Sequence, residues 1–245
     1  MNEQGAKGVP WRAETLLRAG SAIALIAVIE AVVLGASALP AVVAWIWLIE
    51  QTESSDLIRA VVLGGALMPS YVLFALCLMG VSAAATRLTG ARTPQAAELR
   101  IADMKWPLLN WARYMTAIRI VRIFAGTLFC GSPIWTTYLR LNGARIGRRV
   151  YINTLFISDH NLLDIGDDVV IGAEVHLSGH TVEGGVVRTG TVRLHRNVTI
   201  GLHSVVDIDV EAGPGTQIGA MSLVPKHTRL EPGGVYAGVP VKRIR

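Results

Sequence analysis

The chain has 245 residues, 51% of them hydrophobic and 17% charged, with a formal net charge of +5 and a positive mean hydropathy. That is too apolar for an ordinary soluble domain and too charged for a membrane protein throughout. Its two cysteines, Cys77 and Cys130, have no metal-ligand spacing and make no disulfide framework, so both read as buried thiols.

Two compositions follow one another. Ala, Leu, Val and Ile dominate residues 16–85, whereas Gly, Val, Ile, Asp, Arg and His are frequent from 143 onward. The predicted order is a cytoplasmic N-terminus (1–19), a transmembrane helix pair (20–86), an amphipathic, interfacial helical connector (87–142) and a repetitive soluble domain (143–245).

The apolar segments 22–49 and 57–85 each exceed the roughly 20 residues a helix needs to cross the hydrocarbon core. Pro40 and Pro69 are candidate kinks, and Trp45 and Trp47 suit an interfacial belt. A signal peptide cut after Ala36-Ser37-Ala38 is the weaker reading, because Glu30 interrupts the apolar run and the run continues past the cut. The turn between the segments carries Glu50, Glu53 and Asp56 against Arg59, while the outer flanks carry Lys7, Arg12, Arg18, Arg87 and Arg92. That asymmetry predicts both termini and the soluble domain on the cytoplasmic side of the inner membrane. Glu30 reads as an acid at mid-bilayer depth. Neither helix offers it a partner charge, which favours a protonated glutamate bonded inside a helix bundle over a functional group.

Basic residues from Arg87 to Arg122 follow the second segment and suit anionic headgroups. No nucleic-acid-binding module accompanies them. Trp106, Leu108, Leu109, Trp111, Tyr114 and Met115 alternate with Lys105 and Arg113, a pattern that fits either a helix in the membrane interface or one packed on the soluble domain.

From Ile146 the period changes to six. Aliphatic residues stand at Ile146, Ile152, Ile165, Ile171, Leu177, Leu194, Ile200, Val206, Ile218, Val224 and Leu230, with Ala212 in one slot. Such a period predicts a stacked coil with three short strands per turn. Gly follows at 147, 166, 172, 201 and 219, read as corners where glycine tolerates positive φ. The period breaks at ISDHNLLD after Phe156 and at SGHTVEGGVVRTGTVR after Leu177. With about eighteen residues per turn, Ser158 is expected to stack near Leu177. Asp159, His160 and Asn161 then lie one coil from Ser178, Gly179 and His180, which gathers two imidazoles and a carboxylate at one corner. His176, His195, His203 and His227 fall at outward slots and read as surface residues.

VIGAEVHL, TIGLHSVV and QIGAMSLV resemble the left-handed parallel β-helix (hexapeptide-repeat) acyltransferases, and VPKHTRLEPGGVYAGVPVKRIR is similar to the terminal stretch of that family. The two apolar helices, the interfacial segment, YLRLNGARIGRRVYINTLFISDHNLLDIGDD and IGAMSLVPKHTRLEPGGVYAGVP together resemble one module of the membrane-bound C-terminal region of ε-poly-lysine-type peptide synthetases. That family joins adenylation and carrier domains to several such modules. With one module and neither domain here, polymerisation by this chain alone is not expected. The implied fold is two transmembrane α-helices, interfacial amphipathic helices and a left-handed parallel β-helix, assembled as a homotrimer with sites between subunits.

The resemblance also implies a chemistry. His180 matches the loop histidine that acts as general base, with Asp159 and His160 as its expected companions, and Asp159 or Glu183 to orient the ring or hold a cationic acceptor. Backbone N–H groups at Ser178 and Gly179 are expected at the oxyanion. Gly238 and Pro240, with Lys226 and Lys242, are expected to meet a pantetheine thioester donor, either acyl-CoA or a phosphopantetheinyl carrier protein. Asn161 and Glu183 are expected on the acceptor, a small-molecule amine or hydroxyl, and a carrier or adenylating protein is an expected partner. Sugar or polysaccharide O-acetylation is the alternative activity, and a non-catalytic membrane scaffold is the alternative of another kind. Gamma-class carbonic anhydrases share the fold, but His176 and His180 with His203 or His160 match their spacing poorly, so no metal is expected.

Overall fold

The computed structural model describes residues 13–52 and 55–245; Lys7, Arg12 and Glu53, used above to orient the helices, lie outside them. Helices α1 (Ala13–Gln51) and α2 (Asp56–Leu88) have 39 and 33 residues, hence lengths of about 58 and about 50 Å. Both are long and apolar enough to cross a membrane by length and composition. Their apolar side chains stay largely uncovered, with Val28, Val32, Val43, Ile46, Leu67 and Met68 exposed.

Both helices run unbroken through Pro40 and Pro69. The buried stripe of α1 is narrow: Glu30, Val33, Ser37 and Ala41, at spacings of three and four that share one helix face. The Trp45 indole N–H donates to Ser70 Oγ at 2.6 Å. Equal steps back along α1 and forward along α2 from that bond put Glu30 level with Ala85, near the end of α2. Helix α1 continues well past that level, beyond the end of its partner. The charge near Glu30 is Arg113, from outside the helix pair.

The connector is not helical throughout. After α2 the chain runs as a strap to Lys105, containing a short strand, Glu98–Arg100, and a 3-10 turn, Ile101–Asp103. Helix α3 (Trp106–Val121) passes through a π-turn, Arg122–Gly126, into α4 (Thr127–Phe129). Helix α5 (Pro133–Leu141) follows, with Ser132 Oγ capping the Trp135 N–H. α3 buries Leu108, Tyr114, Ala117, Ile118 and Val121. Arg87 donates to the Leu141 carbonyl at 2.7 Å, and the Trp135 indole donates to the Thr154 carbonyl at 3.1 Å. The connector thus ties the apolar helices to the repeat domain.

From Arg145 the chain winds into a three-faced parallel coil. One face stacks Ile146, Ile165, Leu194, Ala212 and Leu230 in register. The second stacks Ile152, Ile171, Ile200, Ile218 and Tyr236. The third stacks Leu177, Val206 and Val224. All of these but Ile146 are buried and together fill the prism interior. Ile157, not Ser158, is the residue opposite Leu177, because the coil is one residue shorter between Ile152 and Ile157 than on the next turn.

The repeat glycines have a different reason from the one read in sequence. None of the five has positive φ; the left-handed corners are held by Arg149, Asp168, Glu174, Asn197, His203, Asp209, Met221 and His227, and by two other glycines, Gly215 and Gly233. The glycines lie where one turn presses on the next. A Cβ at Gly166 would stand 2.7 Å from the Arg196 nitrogen, and one at Gly172 would stand 2.8 Å from that of Leu202.

The long loop is a hairpin, His180–Glu183 against Val186–Thr189, turning at Gly184-Gly185 with φ of 56° and 75°. Its outer strand pairs antiparallel with Glu98–Arg100 of the strap. Gly166→Ala is expected to lower stability by about 1–3 kcal/mol, read as the denaturation midpoint of the full chain in detergent. Gly184→Asn, whose Cβ meets nothing within 4 Å, is expected to change it little.

Candidate active site

The corner where the repeat breaks holds a buried carboxylate. Asp159, at φ 52°, is fully buried. Its Oδ2 lies 2.6 Å from His180 Nδ1, and its Oδ1 accepts from Thr93 Oγ1 at 2.6 Å and from the Trp111 indole N–H at 3.2 Å. The His180 side chain is 24% exposed, and the Trp111 ring stands edge-on to it with centroids 5.0 Å apart. Burial pushes the Asp159 carboxyl up, but hydrogen bonds from His180, Thr93 and Ser158 and the His180 charge outweigh it, and the group titrates below the usual carboxylate range. With Nδ1 engaged by the carboxylate, Nε2 is the imidazole nitrogen left for chemistry.

Gly179 lies directly on Asp159: a Cβ there would come within 2.6 Å of Asp159 Cβ. The Ser178 hydroxyl donates to the His180 carbonyl at 2.6 Å, and its N–H is committed to the Val206 carbonyl at 3.2 Å. The expectation of a Ser178 N–H at an oxyanion is therefore corrected, since the strand ladder already takes that donor.

His160 does not join the pair. It is fully buried, edge-on to Tyr138 and Tyr114 at centroid distances of 5.7 and 6.4 Å, and neither ring nitrogen has a hydrogen-bond partner. Burial drives its pKa down to about 4 against the pull of Asp159. A ring sealed between two tyrosines cannot touch a substrate, which corrects its expected catalytic role. Asn161 uses both ends of its amide on Thr93, accepting from the N–H at 3.1 Å and donating to the carbonyl at 2.9 Å. It pins the strap rather than offering that amide to an acceptor. Glu183 and Lys226, expected on acceptor and donor, instead bind one another at 2.6 Å, with Arg188 also on Glu183.

The remaining expected residues lie up the coil. Gly238, at φ 106°, accepts from the Leu223 N–H, and Val241 donates to the Leu223 carbonyl. Leu223 stacks on Val205, which stacks on His176. Gly238, Pro240 and Lys242 thus belong to the end of the coil, about 14 Å or three strand spacings from the His176 rung.

Sequence reading missed Thr93 and Trp111, which lie outside the repeat. A half-buried tryptophan needs a partner for its N–H, but nothing in the spacing named Asp159 as that partner.

No family model matches the chain. It is 30% identical over 148 residues to a delta-poly-L-ornithine synthetase from Acinetobacter baumannii (strain AB307-0294), covering 60% of this chain and 11% of that protein. It is 36% identical over 121 residues to a galactoside O-acetyltransferase from Escherichia coli (strain K12), covering 46% of this chain and 58% of that protein. Among solved structures, a hexapeptide-repeat acetyltransferase from Vibrio cholerae O1 biovar eltor complexed with acetyl coenzyme A matches with a TM-score of 0.39 at 22% identity, over 42% of this chain and 60% of that one. The chain spans less than two thirds of the length of each of these proteins.

The neutral imidazole of His160 gives a pH signature. Its folded pKa is below the unfolded value of about 6.5, so its contribution is complete above that pH and is lost as pH falls to about 4. Asp159 adds its own loss only below the usual carboxylate range. Full-chain stability in detergent is expected to fall by on the order of 3 kcal/mol between pH 6.5 and 4 from this one group. His160→Phe is expected to flatten that slope; an unchanged slope would refute the assignment. In sequence the chain is thus similar to a delta-poly-L-ornithine synthetase and to a galactoside O-acetyltransferase, over part of the length of each.

Proposed function

We propose that the chain is a membrane-anchored acyltransferase that moves an acyl or aminoacyl group from a pantetheine thioester to an amine or hydroxyl, with His180 as general base. The observation that carries this reading is the Asp159–His180 pair: a buried carboxylate 2.6 Å from an imidazole that keeps 24% of its side chain exposed. Asp159 holds the ring with Nδ1 protonated and stabilises the imidazolium that forms. Nε2 takes the acceptor proton as the acceptor attacks the thioester carbonyl carbon. The tetrahedral intermediate collapses with cleavage of the C–S bond, and the thiolate recovers the proton from His180. The Gly179 N–H is the remaining backbone donor for the oxyanion.

The donor would be acyl-CoA or a phosphopantetheinyl carrier protein. Lys242, which makes no ion pair among the described residues, supports a phosphate contact at the coil's end. In this reading the coil is left-handed and three copies pack side by side. Exposed Phe156, Val170, Leu202, Val205 and Met221 support such a contact. The helix pair is the anchor, with the coil in the cytosol against the inner membrane.

Transfer to an amine is favoured over sugar O-acetylation by one observation. Both alignments are longer than the coil, and the synthetase's, at 60% of the chain against 46% for the galactoside enzyme, takes in more of the helical part. A carrier or adenylating partner belongs to the amine reading.

The test is thiol release from acetyl-CoA, with amine and sugar acceptors compared, by the full chain in detergent. His180→Ala is expected to lower turnover by about a hundred- to ten-thousand-fold with an unchanged denaturation midpoint. Equal turnover in the variant overturns His180 as the base, and no turnover in either protein with any thioester supports a non-catalytic scaffold.

A further inference from the structure

A cavity lies against the strap, and neither His180 nor Asp159 lines it. It measures about 910 Å³ and is walled by the last turn of α2, the strap, the start of α3 and the first turns of the coil. Four guanidinium groups line it, from Arg87, Arg92, Arg145 and Arg193, against one carboxylate, Asp164. Arg193 stands 3.6 Å from Asp164, and Arg87 uses its Nε on the Leu141 carbonyl. Arg92 and Arg145 have no ion pair or side-chain hydrogen bond among the described residues, and both are exposed. Two uncommitted guanidinium groups in one cleft match the bidentate geometry of a phosphate.

The cavity's place in the chain narrows the ligand. Thr86 and Arg87, on its wall, stand at the end of the apolar helix α2. Leu88, next to Arg87, is 88% exposed, and Trp106, on the rim, is 66% exposed. An uncovered aliphatic and an uncovered indole beside a basic cleft are what the headgroup layer accommodates. We propose that this cleft binds the phosphate-bearing headgroup of an anionic membrane lipid.

The proposal rests on the membrane-anchored reading and is independent of the acyl transfer. Its ligand meets the chemistry only through a shared wall: Thr93 and Asn161 line the cleft, and Thr93 holds the Asp159 carboxylate. The experiment uses the full chain in a neutral detergent and native mass spectrometry with three probes: dioctanoyl phosphatidic acid, glycerol 3-phosphate and dioctanoylglycerol. Saturable binding of the phosphatidic acid is expected, with little of the other two. Arg92→Ala/Arg145→Ala is expected to weaken it about thirtyfold. Arg196→Ala/Arg243→Ala, which removes the same charge outside the cleft, should leave it within about twofold. Equal affinity in the first variant, or equal loss in both, overturns the site. Glycerol 3-phosphate binding as tightly, with the same dependence on Arg92 and Arg145, overturns the lipid and assigns a soluble phosphate ester. Carbonate washing of membranes separates the two readings: a chain that washes off overturns the anchor and the lipid with it, whereas a retained chain that ignores the arginine pair overturns the lipid alone.

Discussion

A carboxylate with no exposed surface has to be paired, and Asp159 draws its partners from three distant parts of the chain. Thr93 comes from the strap, Trp111 from α3 and His180 from the hairpin. Breaking such a set leaves a buried charge short of donors, a cost of several kcal/mol. Strap, helix and hairpin are therefore held together by the same group that sets the imidazole's tautomer. The strand pairing of Glu98–Arg100 with the hairpin closes the arrangement from outside.

The coil was legible in the sequence because its constraint is local and repeats. Each inward slot meets the same slot one turn away, so aliphatic residues recur at every sixth position, and the observed registers follow that list. The role of the glycines was not legible. A glycine chosen for positive φ and a glycine chosen because the next turn's backbone is 2.7 Å from where a Cβ would be give the same letter. The left-handed corners went instead to residues such as Asp168, Asn197 and His203. Their side chains point away from the prism and carry the modest strain of that conformation.

At the site, the convergence of Asp159 with His180 could be anticipated from turn length alone, since both sit where the winding falters. Turn length could not separate His180 from His160. The two imidazoles belong to neighbouring turns, and only packing by Tyr114 and Tyr138 decides that one is sealed and the other half open. Nor could it reveal that Asn161 belongs to the strap, or that Lys226 and Glu183 neutralise one another. Those outcomes depend on contacts across more than forty residues of sequence, for which a single chain carries no periodic signal.

The strap joins these two levels. One of its residues, Thr93, is bonded through Oγ1 to the Asp159 carboxylate and through both backbone groups to Asn161, and it also walls the basic cleft. A ligand in the cleft that orders Thr93 would add to the positioning of Asp159, and an ordered Asp159 would favour that ligand in return, because coupling between two sites on one element is reciprocal. The size of that coupling is bounded by what Thr93 itself contributes. A hydrogen bond to a charged group is worth about 1.5–3 kcal/mol, so occupancy of the cleft can tune the pair but cannot create it. The imidazole–carboxylate contact and the Trp111 bond do not involve the cleft, so a ligand there would modulate the pair rather than take part in its chemistry.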